Sequence, residues 1–130
     1  MGGRGSAGSA GGMGRVAEFS APRMSGSEKQ VAWATDILRE PYTALGGQAK
    51  SHERTAKELG NHGGRELEQA RAYRNAQNRY AEQVKQLGEL NLTAGQVIDR
   101  KNRFMGIARA IAEDEFKRRG FKPYEVSLPR

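Results

Sequence analysis

The chain has 130 residues, with 22 Lys and Arg against 15 Asp and Glu, which gives a formal net charge of +7. This length fits one small domain with a tail and argues against a multi-domain machine. The absence of cysteine excludes disulfides, thiolate zinc sites and cysteine nucleophiles. No apolar run approaches the roughly 20 residues that span a bilayer, and the N-terminus is glycine-rich rather than apolar, so we expect a soluble cytoplasmic protein with no membrane partner.

Residues 1–26 are rich in glycine, serine and alanine, and they hold eight of the 17 glycines. Such a segment buries too little apolar surface to offset the entropy of ordering, which predicts a flexible tail. Residues 3–8 spell GxGxxG, but no strand precedes them and no helix begins there, so the pattern lacks the context of a dinucleotide site.

The first helix is predicted to begin at Ser27, because Ser27 and Gln30 form the two ends of a capping box. Apolar residues then recur at helical spacing, and Trp33 beside them is predicted to anchor the core. The helix is predicted to end at Glu40–Pro41, since proline disfavours helical geometry in the residue before it.

Residues 41–63 carry few apolar side chains, and the glycines Gly46, Gly47 and Gly60 interrupt them. We expect a short, poorly anchored helix here. A long helix is predicted over 65–87, with apolar residues three or four positions apart in a narrow stripe. Such a stripe favours an antiparallel partner helix.

Another helix is predicted to begin at Thr93, which forms a second capping box with Gln96, and to stop at Gly120. Residues 121–130 alternate in polarity and contain a proline, which predicts an extended arm, docked through Phe121 and Tyr124. The fold prediction is therefore all-α: a small bundle over 27–120 built on a long helical hairpin, with a disordered glycine-rich tail and an extended C-terminal arm.

The excess positive charge is concentrated in residues 92–130, which hold nine basic and five acidic residues. Antiparallel packing of the two late helices would bring cations from both to one end, where they could contact several phosphates. An ordinary solvated basic face is the alternative explanation. The candidate nucleic-acid-binding residues are Arg71, Arg74, Arg100, Lys101, Arg103, Lys117, Arg118, Arg119 and Lys122.

No pattern points to catalysis or to a cofactor. The consecutive carboxylates Glu113, Asp114 and Glu115 lie about 100° apart on a helix, so they cannot converge on one substrate. Their spacing instead predicts ion pairs, from Glu113 to Lys117 and from Glu115 to Arg118 or Arg119. His52 and His62 lack the further ligands that a metal site needs, and Tyr73 and Tyr80 are predicted to lie in the core rather than to stack on bases.

Two segments, SEKQVAWATDIL at 27–38 and LTAGQVID at 92–99, resemble the opening and closing helices of a small helical module of uncharacterised phage and mobile-element-associated bacterial proteins. The resemblance implies a phage or mobile-element accessory protein in a bacterial or phage-infected host cell, and it carries over no catalytic residue.

We therefore expect a non-enzymatic protein that binds DNA or RNA, or a nucleic-acid-bound protein, through its basic helices. The first alternative is a protein–protein module, such as a phage-encoded inhibitor of a host defence nuclease (a CRISPR effector or a restriction enzyme). The second is a virion structural protein that forms a homodimer or larger oligomer along the narrow stripe of the long helix.

Overall fold

The computed structural model describes residues 17–128, and this part of the chain is all-α. It contains no strand, and its only strand-like pairing is an isolated bridge between Ser25 and Thr93. Short 3-10 turns follow the first, the second and the last of the four α-helices. The four α-helices are α1 (Glu28–Leu59), α2 (Gly64–Leu87), α3 (Ala94–Asp99) and α4 (Lys101–Arg118).

Helices α1 and α2 form the predicted antiparallel hairpin. The buried hydroxyl of Tyr80 donates to the carbonyl of Leu38 at 2.6 Å. Towards the turn, the His52 ring nitrogen Nδ1 lies 2.7 Å from a carboxylate oxygen of Glu66. The tight turn between the helices requires a glycine, because a Cβ at Gly63 would lie 2.4 Å from the Ala56 carbonyl oxygen.

Helix α1 runs through the proline at which the sequence predicts its end, so that prediction is wrong. Pro41 is buried inside a helix of 32 residues. An internal proline removes one backbone hydrogen bond, here to the carbonyl of Ile37, and the adjacent Leu38 carbonyl gains the bond from Tyr80. Packing against α2 therefore outweighs the local cost of the proline, and residues 41–59 belong to α1 instead of forming a separate short helix.

Helix α2 confirms the prediction for 65–87 to within one residue. Its stripe is buried within the chain: Tyr73 and Ala76 are fully buried, and Tyr80 and Val84 are 1% and 2% exposed. Tyr73 and Tyr80 are thus core residues, as predicted. Helices α1 and α4 cover the middle of this stripe, whereas Leu87 at its end is only partly buried.

The helix predicted from Thr93 to Gly120 is divided in two. Its capping box at Thr93 and Gln96 is present, but Arg100 has a non-helical backbone, with φ −110° and ψ 22°. The break allows α3 to bury Ala94 and Val97 against α1 while α4 packs on α2 as well. Gly120 follows the end of α4 with φ +83°, as expected of a C-terminal stop.

Within the described residues 17–128, both terminal segments pack on the helical bundle. Residues 1–16 of the predicted tail lie outside the described residues. Residues 17–26 pack on the bundle: Phe19 lies 5.7 Å from the Tyr42 ring, Pro22 is buried and Ser25 pairs with the 92–94 backbone. One aromatic and one proline side chain thus anchor a segment whose average composition favours disorder.

The C-terminal arm contains a 3-10 turn, Pro123–Glu125, and its residues 129–130 lie outside the described part of the chain. Phe121 packs on Phe116, with ring centroids 5.7 Å apart. The expected docking of Tyr124 is wrong, since that side chain is 81% exposed. Val126 and Leu128 are buried in its place, at 4% and 7% exposure. None of the helices in residues 17–128 is long and apolar enough to cross a membrane.

Candidate nucleic-acid interface

The N-terminal half of α2 lies antiparallel to the C-terminal half of α4. Arg119 at the end of α4 lies 3.7 Å from Glu68 in α2, and Glu68 also pairs with Arg71 at 2.5 Å. The packing therefore brings the predicted cations of the two helices to the same end of the bundle, but it also places a carboxylate between them.

The guanidinium of Arg74 forms an ion pair with a carboxylate of α1. It makes two contacts of 3.1 Å with the carboxylate of Glu53 in α1, and its side chain is only 15% exposed. A bidentate pair of this kind fixes both geometry and position. Arg74 thus joins α1 to α2, and a phosphate would have to displace Glu53 to reach it.

The end of α4 carries a second set of ion pairs, around the buried carboxylate of Glu115, which is 3% exposed. Arg79 of α2 contacts Glu115 and Asp114, both at 2.8 Å. Arg119 contacts Glu115 at 3.3 Å, which confirms one predicted pair, and Arg118 contacts Asp114 at 3.0 Å. The hydrogen bond from Arg79 is the main reason that the pKa of Asp114 is lowered.

The predicted pair between Glu113 and Lys117 is wrong. Glu113 lies 3.5 Å from Arg109 instead, and Lys117 is exposed. Four of the nine predicted cations are therefore held by carboxylates: Arg71, Arg74, Arg118 and Arg119.

The other five cations are exposed and have no carboxylate partner among residues 17–128. Three of them, Arg100, Lys101 and Arg103, surround the first turn of α4. Lys117 lies in its last turn and Lys122 just beyond. These five are the predicted residues whose charges remain available to an anion.

The first turn of α4 has no anionic or capping side chain. Arg100 occupies the N-cap position without a side-chain cap hydrogen bond, and the turn contains no acidic residue. Cations at the positive end of a helix dipole are unfavourable, whereas anions there are stabilised. The free protein thus carries an electrostatic cost at this turn that a bound anion would relieve.

One side of α4 connects the two groups of free cations. At about 100° per residue, Arg103, Gly106, Ala110 and Lys117 share one side of the helix, and all four are exposed. Gly106 and Ala110 lie between the two cations on this side, which we call the α4 face, and the partly exposed carboxylates Glu113 and Asp114 flank it near Lys117. The spacing of 14 residues corresponds to about 21 Å, so an extended polyanion could contact both ends while lying close to the helix.

Trp33 is 51% exposed, so the prediction that it anchors the core is wrong. It lies on α1, and the Lys101 ammonium nitrogen is 5.8 Å from the centre of its ring system. An exposed indole beside a free cation offers a stacking surface next to the start of the α4 face.

Sequence reasoning missed an apolar groove between the end of α2 and the beginning of α4. One hollow of about 620 Å³ is lined by Val84, Leu87, Leu90, Phe104 and Ile107 among others. Leu90 and Ile107 are exposed, at 64% and 38%. The sequence carries no local signal for this groove, because it exists only where two distant helices converge.

Comparisons of the chain with protein-family models, with curated proteins and with solved structures found no match. Residues 17–128 also contain no group of three or more His, Asp or Glu side chains placed to hold a metal ion. The geometry of the free cations and of the groove is therefore the basis for functional inference.

Proposed function

We propose that the protein is a non-enzymatic phage or mobile-element accessory protein that binds nucleic acid through the α4 face. Phosphates contact Arg100, Lys101 and Arg103 at one end of the helix, and Lys117 and Lys122 at the other. The observation that carries this proposal is that these five cations remain exposed and unpaired while the other four are held by carboxylates. Its place of action is the cytoplasm of a bacterium or of a phage-infected host.

The contacts in this proposal position the polyanion without reading its sequence. Lysine and arginine bind phosphates of any sequence, and Gly106 and Ala110 between them have no side chain long enough to reach a base edge. Trp33 is the exception, since an indole can stack on an unpaired base. Binding is therefore expected to be weakly sequence-specific.

The test is the salt dependence of binding to random-sequence DNA and RNA oligonucleotides, measured by fluorescence anisotropy. About five phosphate contacts predict a log–log slope near −4.5 on duplex DNA. No detectable binding at low salt would reject the proposal.

A variant pair separates a defined surface from bulk charge. K101Q/R103Q/K117Q removes three cations of the proposed site, whereas K50Q/R54Q/K57Q removes three exposed cations of α1 and leaves the same net charge. The first variant should lose at least about tenfold in affinity, and its salt slope should become shallower by about 2.7. The second should lose much less; equal losses would show that only net charge matters.

The apolar groove favours a second candidate function, that of a protein-binding module such as an inhibitor of a host defence nuclease. Exposed apolar patches flanked by polar residues are typical of protein-binding surfaces. In this role the affinity for the nuclease would depend on Leu90 in the groove and not on Lys117. Loss of nuclease inhibition in L90S but not in K117Q, together with no binding to nucleic acid at low salt, would favour this function over the first.

A further inference from the structure

The apolar groove has two hollows that share a wall. Leu87, Phe104 and Ile107 line both of them. Glu89 lines the hollow at the α2 end, of about 620 Å³. Arg100 lines the hollow at the α3 end, of about 330 Å³. Arg103 lines the same hollow, so the groove is an apolar trough with an acidic residue at one end and two basic residues at the other.

The same surface also carries a projection that fits such a trough. Leu90 stands on the rim, 64% exposed, in the 3-10 turn Gly88–Leu90. Its side chain is small compared with the hollow at the α3 end, of about 330 Å³. One face therefore presents both an apolar projection and an apolar recess, which is the requirement for an isologous contact.

The charges at the two ends agree with this arrangement. A two-fold axis perpendicular to the groove reverses its direction in the second copy, so each Glu89 would face the Arg100 of the other copy. Neither residue has an ion-pair partner in the described part of the chain. A like-oriented contact would instead place Glu89 against Glu89, which is unfavourable.

We infer that the groove is a homodimer interface, in which Leu90 of each copy enters the hollow at the α3 end of the other and Glu89 pairs with Arg100 across a two-fold axis. Arg100 and Arg103 line the smaller hollow, so the dimer contact includes two of the five cations that are proposed to bind phosphates. The proposal does not depend on nucleic-acid binding, because it rests on the groove and its two end charges. A nucleic acid has no aliphatic group that would fill the hollow around Leu87 and Phe104, whereas a leucine fills it well.

The first experiment is sedimentation equilibrium of the full chain from about 1 to about 200 μM, in about 0.5 M salt to screen the net charge of each copy. A reversible monomer–dimer equilibrium is expected. A monomer at every concentration would overturn the proposal.

A matched pair of leucine variants locates the interface. L90S removes the proposed projection, and L59S removes a leucine that is 45% exposed at the end of α1. L90S should weaken dimerisation by at least about tenfold, because burial of a leucine side chain drives the contact. L59S should not change it. Equal effects would show that the dimer does not use the groove. Far-ultraviolet circular dichroism of both variants establishes that the helices are intact.

A charge exchange tests the two-fold geometry. E89R and R100E should each weaken the dimer, because each places like charges together. The double variant E89R/R100E should restore it, and an equimolar mixture of the two single variants should form a heterodimer, since both contacts become attractive again. Dimerisation that is unaffected by all of these changes, or weakened equally by the double variant, would contradict the proposed pairing.

The two proposals share Arg100, but their dependence on salt distinguishes them. Nucleic-acid binding weakens steeply as salt is raised, whereas an apolar dimer contact persists. A protein that dimerises in about 0.5 M salt but binds no oligonucleotide at low salt would retain the dimer and reject the nucleic-acid function, and the reverse result would do the opposite.

Discussion

Gly46 and Gly47 are neighbours in α1 with opposite environments. A Cβ at Gly46 would lie 2.6 Å from the side-chain amide nitrogen of Gln77, whereas a Cβ at Gly47 would meet nothing within 4 Å. Gln77 is only 4% exposed, and its amide donates to the Tyr42 carbonyl at 3.1 Å. Gly46 therefore makes room for a buried polar contact between α1 and α2. From the sequence alone a Gly-Gly pair indicates a break, because the partner side chain that explains it lies 31 positions away.

The substitutions G46A and G47A should change stability in opposite directions. Alanine at position 47 gains helix propensity and should raise the free energy of unfolding by about 0.5–1 kcal/mol. Alanine at position 46 gains the same propensity but displaces Gln77 from a packed site, where overpacking costs about 1–3 kcal/mol, so it should lower stability by about 1 kcal/mol. Urea denaturation of both variants measures this; an equal gain in both would show that Gln77 moves without cost.

At the level of elements, local signals predicted helix starts better than helix ends. Both capping boxes, at Ser27 and Thr93, are present, because a cap is formed by residues adjacent in sequence. The continuation of α1 through Pro41 and the break at Arg100 were not predictable in the same way. Each depends on which distant residues the helix buries, and local propensity is a weak guide when packing opposes it.

The C-terminal arm is held by bonds that its own sequence does not reveal. The hydroxyl of Tyr73 accepts a hydrogen bond from the Ser127 amide at 2.9 Å, and the guanidinium of Arg109 donates to the Leu128 carbonyl at 2.7 Å. The two helix residues, Tyr73 and Arg109, lie 54 and 19 positions from their partners in the arm. The arm is thus docked, as predicted, but through Phe121, Val126 and Leu128 rather than through Tyr124.

The substitution Y73F should loosen the arm, since it removes one hydrogen bond worth about 1 kcal/mol. Hydrogen exchange at the Ser127 amide should accelerate by about fivefold. Y124F is the matched control, because Tyr124 is 81% exposed and its hydroxyl has no partner in residues 17–128. Unchanged exchange in Y73F would mean that apolar burial of Val126 and Leu128 alone holds the arm.

Across the whole molecule, ion pairs between helices decide which of the predicted site residues stay free. The sequence correctly indicated that cations of α2 and α4 meet at one end, because antiparallel packing follows from the stripe of α2. It could not show that Glu53 and Glu68 meet them there, since those pairings depend on the rotation of each helix. The free cations Arg103 and Lys117 were therefore predicted together with the occupied ones.

The same pairing makes the fold sensitive to acid. The pKa of Glu125 is lowered from its ordinary 4.5, chiefly by a hydrogen bond from the Lys122 backbone and then by Arg65, and the pKa of Asp114 is lowered from 3.8, chiefly by Arg79. A carboxyl whose pKa is lower in the folded state stabilises the fold above its unfolded pKa, and this contribution is lost as pH falls through the folded value. The melting temperature should thus fall below about pH 4.5, and E125Q should show a shallower decline. A profile for E125Q that matches the unmodified protein would assign the acid sensitivity to other carboxyls.

Trp33 has a practical consequence beyond its contact with Lys101. It is the one tryptophan of the chain, and its indole is half open to water beside the first turn of α4. Its emission should respond to whatever settles over that turn, by quenching when a base stacks on it or by a spectral shift when water is displaced. The molecule therefore contains an intrinsic optical reporter at one end of the α4 face, which allows occupancy to be followed without a label.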